Sequence, residues 1–425
     1  MTGGRSPVTR AGARWSVIGL LSAGMIIAYV SRSNLSVVLV LPEFIQRFHL
    51  TDTDRGTLNS AFFWAYAALQ IPAGWVVDRY GVKLPYAISF LFWCLAAGAT
   101  AFAGSLRSLY ALRVLVGVGE SVVAPASYRW IRMNFEEKQR GLAIGLYMTG
   151  TKIGPAIAAP LAAWLVLHSG WQAMFLIVGL GGLVWLIPWL KMVENDAPRR
   201  PRAVAAKTAE AVPFAKVLAS PVTWGAVIAT FCYMYFVYFC MTWMPAYFVE
   251  QRHLTLSRMG LYTFFSFGGM AIVAALAGWL ADLTIARGHN PVTVRKWFTI
   301  AGFAVACTEI IGAQSDSVTV ALVFAVISLS GLGLATANYW ALTQTLIPAA
   351  AIGRISGVQN CSASVAGIVA PILTGWLKQE TGSYQAPMQA IWFFLVVGVL
   401  SYLVLVREKY APRAAVAIDA STGVH

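Results

Sequence analysis

Charge is scarce in this chain. Only 11% of its 425 residues are Asp, Glu, Lys or Arg, against roughly 25% in a soluble protein. A chain of this length needs far more charge to cover a water-facing surface, so a soluble globular protein is excluded. Cysteine is also sparse. Cys94, Cys232, Cys240, Cys307 and Cys361 each sit inside an apolar run. Their spacing excludes a thiolate metal centre and a disulfide framework, and they read as small buried apolar residues. The five histidines (His49, His168, His253, His289, His425) are scattered over loops and ends. No metal site and no cofactor is therefore expected. Gly117-x-Gly119 lies within an apolar run and reads as helix packing rather than phosphate binding. Nothing supports a polytopic enzyme or a non-transporting receptor. Acidic residues number 17 against 31 basic ones. Such an excess in a soluble chain would suggest nucleic acid, but here it is spread over short loops, so no nucleic-acid partner is expected.

What the chain has in abundance is apolar side chain, 58% of the total. The runs are continuous rather than alternating, which excludes a β-barrel, and long enough to cross a bilayer, which takes about 20 residues. Twelve spans are expected: 15–41, 57–77, 84–103, 109–133, 141–167, 171–190, 222–248, 260–286, 297–315, 318–346, 355–378 and 387–406. With the N-terminus in the cytoplasm, the inward segments carry 21 Lys and Arg and the outward loops 6. That bias places both termini inside. The Arg-bearing N-terminus runs directly into the first long span, so no cleavable signal peptide is expected. The expected fold is an all-α integral membrane protein lodged in the lipid bilayer.

Internal similarity divides the chain in two. Gly74-Trp75-x-x-Asp78 after span 2 returns as Gly278-Trp279-x-x-Asp282 after span 8. Gly141-x-x-x-Gly145 returns as Gly353-x-x-x-Gly357, and Pro160 with Trp164 as Pro371 with Trp376. The longest connection carries Pro198, Pro201 and Pro213 and six basic residues. The expected organisation is an N-tail 1–14, a six-helix half 15–190, a linker 191–221, a second six-helix half 222–406 and a C-tail 407–425. Two such halves in parallel repeat are an architecture of secondary transporters, with the substrate site between them near mid-membrane.

Ionisable residues inside spans are costly and mark function. Arg32 lies in a polar patch, Tyr29-Val30-Ser31-Arg32-Ser33-Asn34-Leu35-Ser36, about 15 Å from Pro42 along the axis and too deep to reach water by extending. It reads as a carboxylate-binding fork, or as half of a structural pair with an acid on another helix. Arg113 and Glu120 are seven residues apart, hence on one face about 10 Å apart. Desolvation favours a protonated carboxyl and nearby cations an ionised one. Glu120 therefore reads as a proton-coupling group, or as the partner of Arg113 or Lys152. Lys152 either binds substrate or neutralises Glu120. Arg129, near the cytoplasmic end of span 4, reads as structural or gating. Positive groups outnumber negative ones, which suits an anion.

Residues 74–83, Gly-Trp-Val-Val-Asp-Arg-Tyr-Gly-Val-Lys, resemble the signature loop of the major facilitator superfamily, over a chain that matches that architecture throughout except in its tails. Gly74 would let two helices approach closely, Gly81 would permit the turn, and Asp78 would hold Arg79 or a helix terminus; in the family this loop latches the cytoplasmic side. Arg32-Ser-Asn-Leu-Ser36, Arg113-x-x-x-Gly117-x-x-Glu120 and Gly357-Val-Gln-Asn360 resemble the anion:cation symporter family, and Thr242-Trp-Met-Pro-x-Tyr247 its bacterial sugar-acid branch. The resemblance implies that Arg32 contacts the substrate carboxylate, that Glu120 takes the coupling proton and that Asn360 hydrogen-bonds substrate, with Thr151 at a substrate-binding position. Tyr29, Tyr238 and Asn338 are further candidate lining residues, ahead of Tyr233, Tyr235, Tyr339 and Trp340. Glu309, near the outer end of a helix peripheral in this fold, is expected to be solvated or to snorkel. One departure is Ser31, where bacterial members carry an Asp that titrates, so their stoichiometry does not transfer. The expected function is proton-coupled import of a small organic anion across a bacterial inner membrane, by a monomer. The alternative is a proton-driven exporter: Gly150-x-x-x-Gly154-Pro155 resembles the exporter motif, but Ala158-Ala159 replaces its paired glycines.

Overall fold

The computed structural model describes residues 7–194 and 213–412. The N-tail up to residue 6, linker residues 195–212 with Pro198 and Pro201, and the C-tail from 413 lie outside the described residues. Among the described residues there is no strand. The membrane helices are α1 Pro7–Val38, α2 Asp52–Tyr80, α3 Lys83–Ala99 and α4 Leu106–Asn134. A single hydrogen-bonded stretch, Glu137–Gly181, follows, but Gly170 within it has φ 78° and turns the chain back. Its first arm is α5 (137–169); its second continues through a 3-10 turn and a further short helix to Met192 as α6 (171–192). Eleven uninterrupted candidate spans, one of 54 residues, are thus twelve crossings. After the linker come α7 Pro221–Thr242, α8 Leu256–Ala286, α9 Pro291–Gln314, α10 Val318–Leu346, α11 Ala349–Thr381 and α12 Gln385–Val404.

The helix starts are written locally. Thr51 and Asp54 form a reciprocal capping box on α2, as do Ser105 and Ser108 on α4. Ser220, Thr255, Asn290 and Ser317 cap α7 to α10 through their side chains, each satisfying backbone N–H groups that have no partner within the helix. Capping carries α2 beyond the expected 57–77 at its start, because the charged first turn is helical rather than loop. The loop ahead of it also holds a short helix, Pro42–Phe48.

An even number of crossings puts both described ends on one side, called here the termini side; the other is the far side. Across the two halves, α2 packs against α11 and α5 against α8. Close approaches between halves concentrate towards the far side. A Cβ on Gly56 would meet the backbone of Pro371, one on Gly375 the backbone of Asp52, one on Gly367 the Phe63 ring and one on Gly260 the backbone of Pro160. Towards the termini side, Gly141, Gly145, Gly353 and Gly357 face open space, with no atom within 4 Å of such a Cβ. The halves are therefore joined at the far side and apart at the termini side. Gly74 also faces open space, which corrects the expectation that it brings two helices together: no element packs on it in this arrangement. Gly81 has φ 85° and ends α2, as its turn role requires.

Candidate functional site

The polar patch of α1 is buried where the two halves meet. Arg32 is 8% exposed and Glu120 fully buried. Arg32 Nε donates to Glu120 Oε2 at 2.5 Å. Its guanidinium also lies 4.6 Å from the ring centres of Tyr29 and Phe62 and 4.7 Å from that of Tyr66. Three π faces and one carboxylate replace water around this cation. Glu120 is positioned by a break in α4. The helix runs Leu106–Glu120 and restarts at Val123, because Pro125 offers no N–H to the carbonyl of Ser121. Gly117 and Gly119 allow the close approach: a Cβ there would strike the backbone of Phe62 and of Trp93.

Of the two partners the sequence offers Glu120, neither holds it. Arg113 Nη1 donates to the Ser31 carbonyl at 3.3 Å, and its guanidinium lies over Phe175. Lys152 Nζ donates to the Tyr233 hydroxyl at 3.4 Å, across the divide between halves. Seven-residue spacing puts Arg113 and Glu120 on one face, but α1 supplies a guanidinium nearer to the carboxylate. Glu120 Oε1 has no hydrogen-bond partner. The Arg32–Glu120 pair thus unites the two residues singled out separately for substrate and proton.

Around this pair, Tyr29 and Tyr66 are half-buried on the termini side. Tyr238 packs edge-on against Phe63, with ring centres 4.6 Å apart. Asn360 is exposed and its Nδ2 donates to Gln70 Oε1 at 3.2 Å, joining α11 to α2. Beyond Arg32 towards the far side lies a 10 Å³ void, lined by Arg32, Leu35, Asn59, Phe62, Phe63, Arg113, Met241 and Thr242. That is about one water. The site is closed towards the far side and open towards the termini side.

Other expected lining residues are engaged locally. Thr151 Oγ1 donates to the Met148 carbonyl, and Asn338 is fully buried with Nδ2 on the Leu334 carbonyl. Tyr235 packs tilted against Phe394 of α12, with ring centres 4.3 Å apart. Glu309 is a correction. It is 7% exposed, and neither carboxyl oxygen has a hydrogen-bond partner. α9 breaks just before it, at Cys307 and Thr308, turning it inward among Phe236, Cys240, Met244 and Tyr247. Cys94, Cys232 and Cys240 are buried as expected, but Cys361 is exposed.

In the signature loop, Asp78 pairs with Arg129 Nη1 at 3.0 Å, not with Arg79, which is exposed. Arg129 also donates to the Val77 carbonyl. In the repeat, Asp282 accepts from Arg295 at 2.9 Å. Both of these contacts stay within one half and tie each loop to its own bundle.

Reasoning from sequence missed the charge cluster that does cross it, at the far side. Arg55 of α2 donates to Asp52 at 2.7 Å and to Glu250 Oε1 at 2.5 Å. Lys378 of α11 donates to Asp52 at 2.9 Å and to Glu250 Oε2 at 2.5 Å. The Tyr384 hydroxyl donates to Glu250 at 2.9 Å, and the Gln379 side chain accepts from the backbone of Thr53 at 3.1 Å. Burial pushes the Glu250 carboxyl up, but Arg55 and Lys378 outweigh it and hold it below the usual carboxylate range. The signal available was a sign-balanced set of charges at the outward ends of three spans.

Comparison with known proteins agrees with this architecture. Residues 21–371 match the Major Facilitator Superfamily. The chain is 28% identical to the D-galactonate transporter of Escherichia coli O6:H1, over 93% of this chain and 96% of that one. It is 29% identical to a probable galactarate/D-glucarate transporter of Bacillus subtilis, over 92% of each. A crystal structure of a bacterial homolog of the human lysosomal transporter Spinster superposes with a TM-score of 0.79 at 18% identity, covering 97% of this chain and 100% of that one. With twelve crossings, a match over most of its length and relatives that are transporters rather than enzymes, the chain is a multi-pass membrane transporter and belongs to the major facilitator superfamily.

Proposed function

We propose that the chain imports a small organic anion, a sugar acid or similar carboxylate, together with a proton. The buried Arg32–Glu120 pair carries this reading. One guanidinium serves two carboxylates in turn. While Glu120 is ionised it holds Arg32, and a substrate carboxylate arriving at Arg32 meets a neutralised cation and a like charge. Once Glu120 takes a proton, the fork of Arg32 is free for two parallel hydrogen bonds to the substrate. Proton and anion then bind together, which is the thermodynamic condition for symport. Tyr29, Tyr66, Tyr238 and Asn360 would line the substrate, with Thr151 and Asn338 contributing after side-chain rearrangement.

The excess of Lys and Arg on the termini side supports placing that side in the cytoplasm, and the bacterial relatives support an inner membrane. The arrangement described is then inward-open, with the Asp52–Arg55–Glu250–Lys378 cluster as the closed outer gate of a monomer. Relatives named for D-galactonate and for galactarate and D-glucarate favour a sugar acid. The exporter alternative has less support, because the cavity cation Lys152 has no carboxylate partner among the described residues and would repel cationic drugs.

The test is substrate-induced proton movement. Proteoliposomes enclosing a pH-sensitive dye should acidify inside when a transported sugar acid is added outside. Accumulation of a radiolabelled acid with no accompanying proton flux would overturn the coupling.

A further inference from the structure

Lys152 is the cavity cation that the coupling pair does not use. It is half-buried in the membrane interior. Its nearest acceptor is the Tyr233 hydroxyl at a long 3.4 Å, and that hydroxyl already bonds Thr336 at 2.7 Å. Among the described residues no carboxylate lies within 4 Å of its ammonium. Neutralising Glu120 is not its role, since Arg32 does that. A cation inside a membrane span without a counter-charge is expensive and persists where a function requires it.

Its direction is set by α5. Gly150 and Gly154 pack on Met25 and Tyr29 of α1. Lys152 is two residues from each, about 200° round the helix, so it faces away from α1 and towards α7. Tyr29 belongs to the Arg32 level: Gly154 backs its Cβ, and the Arg32 guanidinium lies over its ring. On the facing wall Tyr238 packs on Phe63, whose neighbour Phe62 carries Arg32, and Tyr233 meets Lys152. Tyr233 and Tyr238 are five residues apart, about 7.5 Å along the axis. The cleft therefore presents two cations at two levels, Arg32 at its closed end and Lys152 nearer the open end.

We propose that Lys152, with Tyr233 and Thr336, forms a second acid-binding subsite, and that the transported ligand is a compact dianion with one carboxylate at Arg32 and a second acidic group at Lys152. This rests on the organic-anion reading above and narrows it. Without ligand, Glu120 balances Arg32 and nothing balances Lys152. With Glu120 protonated, both cations are open, and two acidic groups on one small molecule satisfy both. A six-carbon diacid, with terminal carboxyl carbons about five bonds apart, spans a similar length. The lysine ammonium is a point charge and accepts a carboxylate or a sulfonate without needing a planar partner.

The test compares matched acids on the purified full-length protein by calorimetry: gluconate against glucarate, and 6-hydroxyhexanoate against adipate. In each pair a terminal alcohol replaces one acid. The wild type should bind the diacid about tenfold or more tightly, as expected for a hydrogen-bonded charge. Lys152→Met should bring the diacid down to the level of the monoacid while leaving the monoacid within about threefold. The same variant should raise the ligand-free Tm, because an unpaired charge inside a membrane span is gone; if it does not fold, Lys152→Gln carries the comparison. Arg32→Lys should weaken both members of each pair. Equal affinity of the wild type for the two members, or a diacid preference that survives removal of the ammonium, would overturn the dianion proposal and leave the anion reading standing. No binding of any of the four acids would overturn both.

Discussion

Replacing Glu250 by Gln should loosen the far-side closure. The carboxylate accepts from Arg55 at 2.5 Å, Lys378 at 2.5 Å and Tyr384 at 2.9 Å. Gln keeps the shape and an acceptor oxygen but loses the charge, leaving Asp52 as the one carboxylate in the cluster for two cations. Hydrogen bonds to charged groups contribute about 1.5–3 kcal/mol each. Breaking a buried ion pair costs about 3–5 kcal/mol, a figure to be discounted here because the Glu250 side chain is 25% exposed. A net loss of about 2 kcal/mol in the closed arrangement follows, roughly a 30-fold shift in the ratio of far-side-closed to far-side-open molecules. Spin labels on exposed Gln46 and Asp316, one in each half at the far side, would report it by pulsed electron resonance, with exposed Cys361 first replaced by Ser. The distance distribution should gain a longer component in Glu250→Gln. An unchanged distribution would refute the idea that this cluster holds the halves together.

Three further outcomes are expected. The same labelled protein should show no change in far-side closure between pH 6 and 8. The Glu250 carboxyl in the closed arrangement is held below its ordinary value of 4.5, so its contribution is complete above that value and is lost only as pH falls through the depressed one. Arg32→Lys, which keeps the charge but not the planar fork or its stacking on three rings, should lower uptake about 100-fold at matched expression; near-normal kinetics would remove Arg32 from the carboxylate site. Gly56→Val should destabilise closure, since its Cβ would strike the Pro371 backbone, and should appear as the same longer label distance.

Much of this fold is legible in the sequence because membrane spans are set by composition over 20-residue windows, and composition needs no partner. Span 4 is found from its apolar run even though Pro125 breaks its helix. The signature loop is found as a string of residues, and Gly81 does turn the chain there. What the sequence leaves ambiguous depends on contacts between helices far apart in the chain. Arg32 and Glu120 are each conspicuous, yet 88 residues separate them, and Arg113 is the nearer candidate by spacing. Glu309 misleads because depth along a helix is readable and the break before it, which turns it inward, is not. The far-side cluster draws on Asp52, Arg55, Glu250 and Lys378, each of which alone looks like ordinary charge at the end of a span. Gly74 misleads differently: a close approach is a property of one conformational state, and a sequence does not state which one is populated.

The central claim is that Glu120 carries the coupling proton, and Glu120→Gln tests it most directly, because the amide mimics the protonated acid and releases Arg32 permanently. The variant is reconstituted in liposomes, and two quantities are measured with one labelled sugar acid: uphill accumulation under an imposed pH gradient, and exchange of internal for external substrate at equal pH. The account predicts that accumulation disappears while exchange persists, since the loaded carrier still cycles. Accumulation that follows the pH gradient as in the wild type would contradict it.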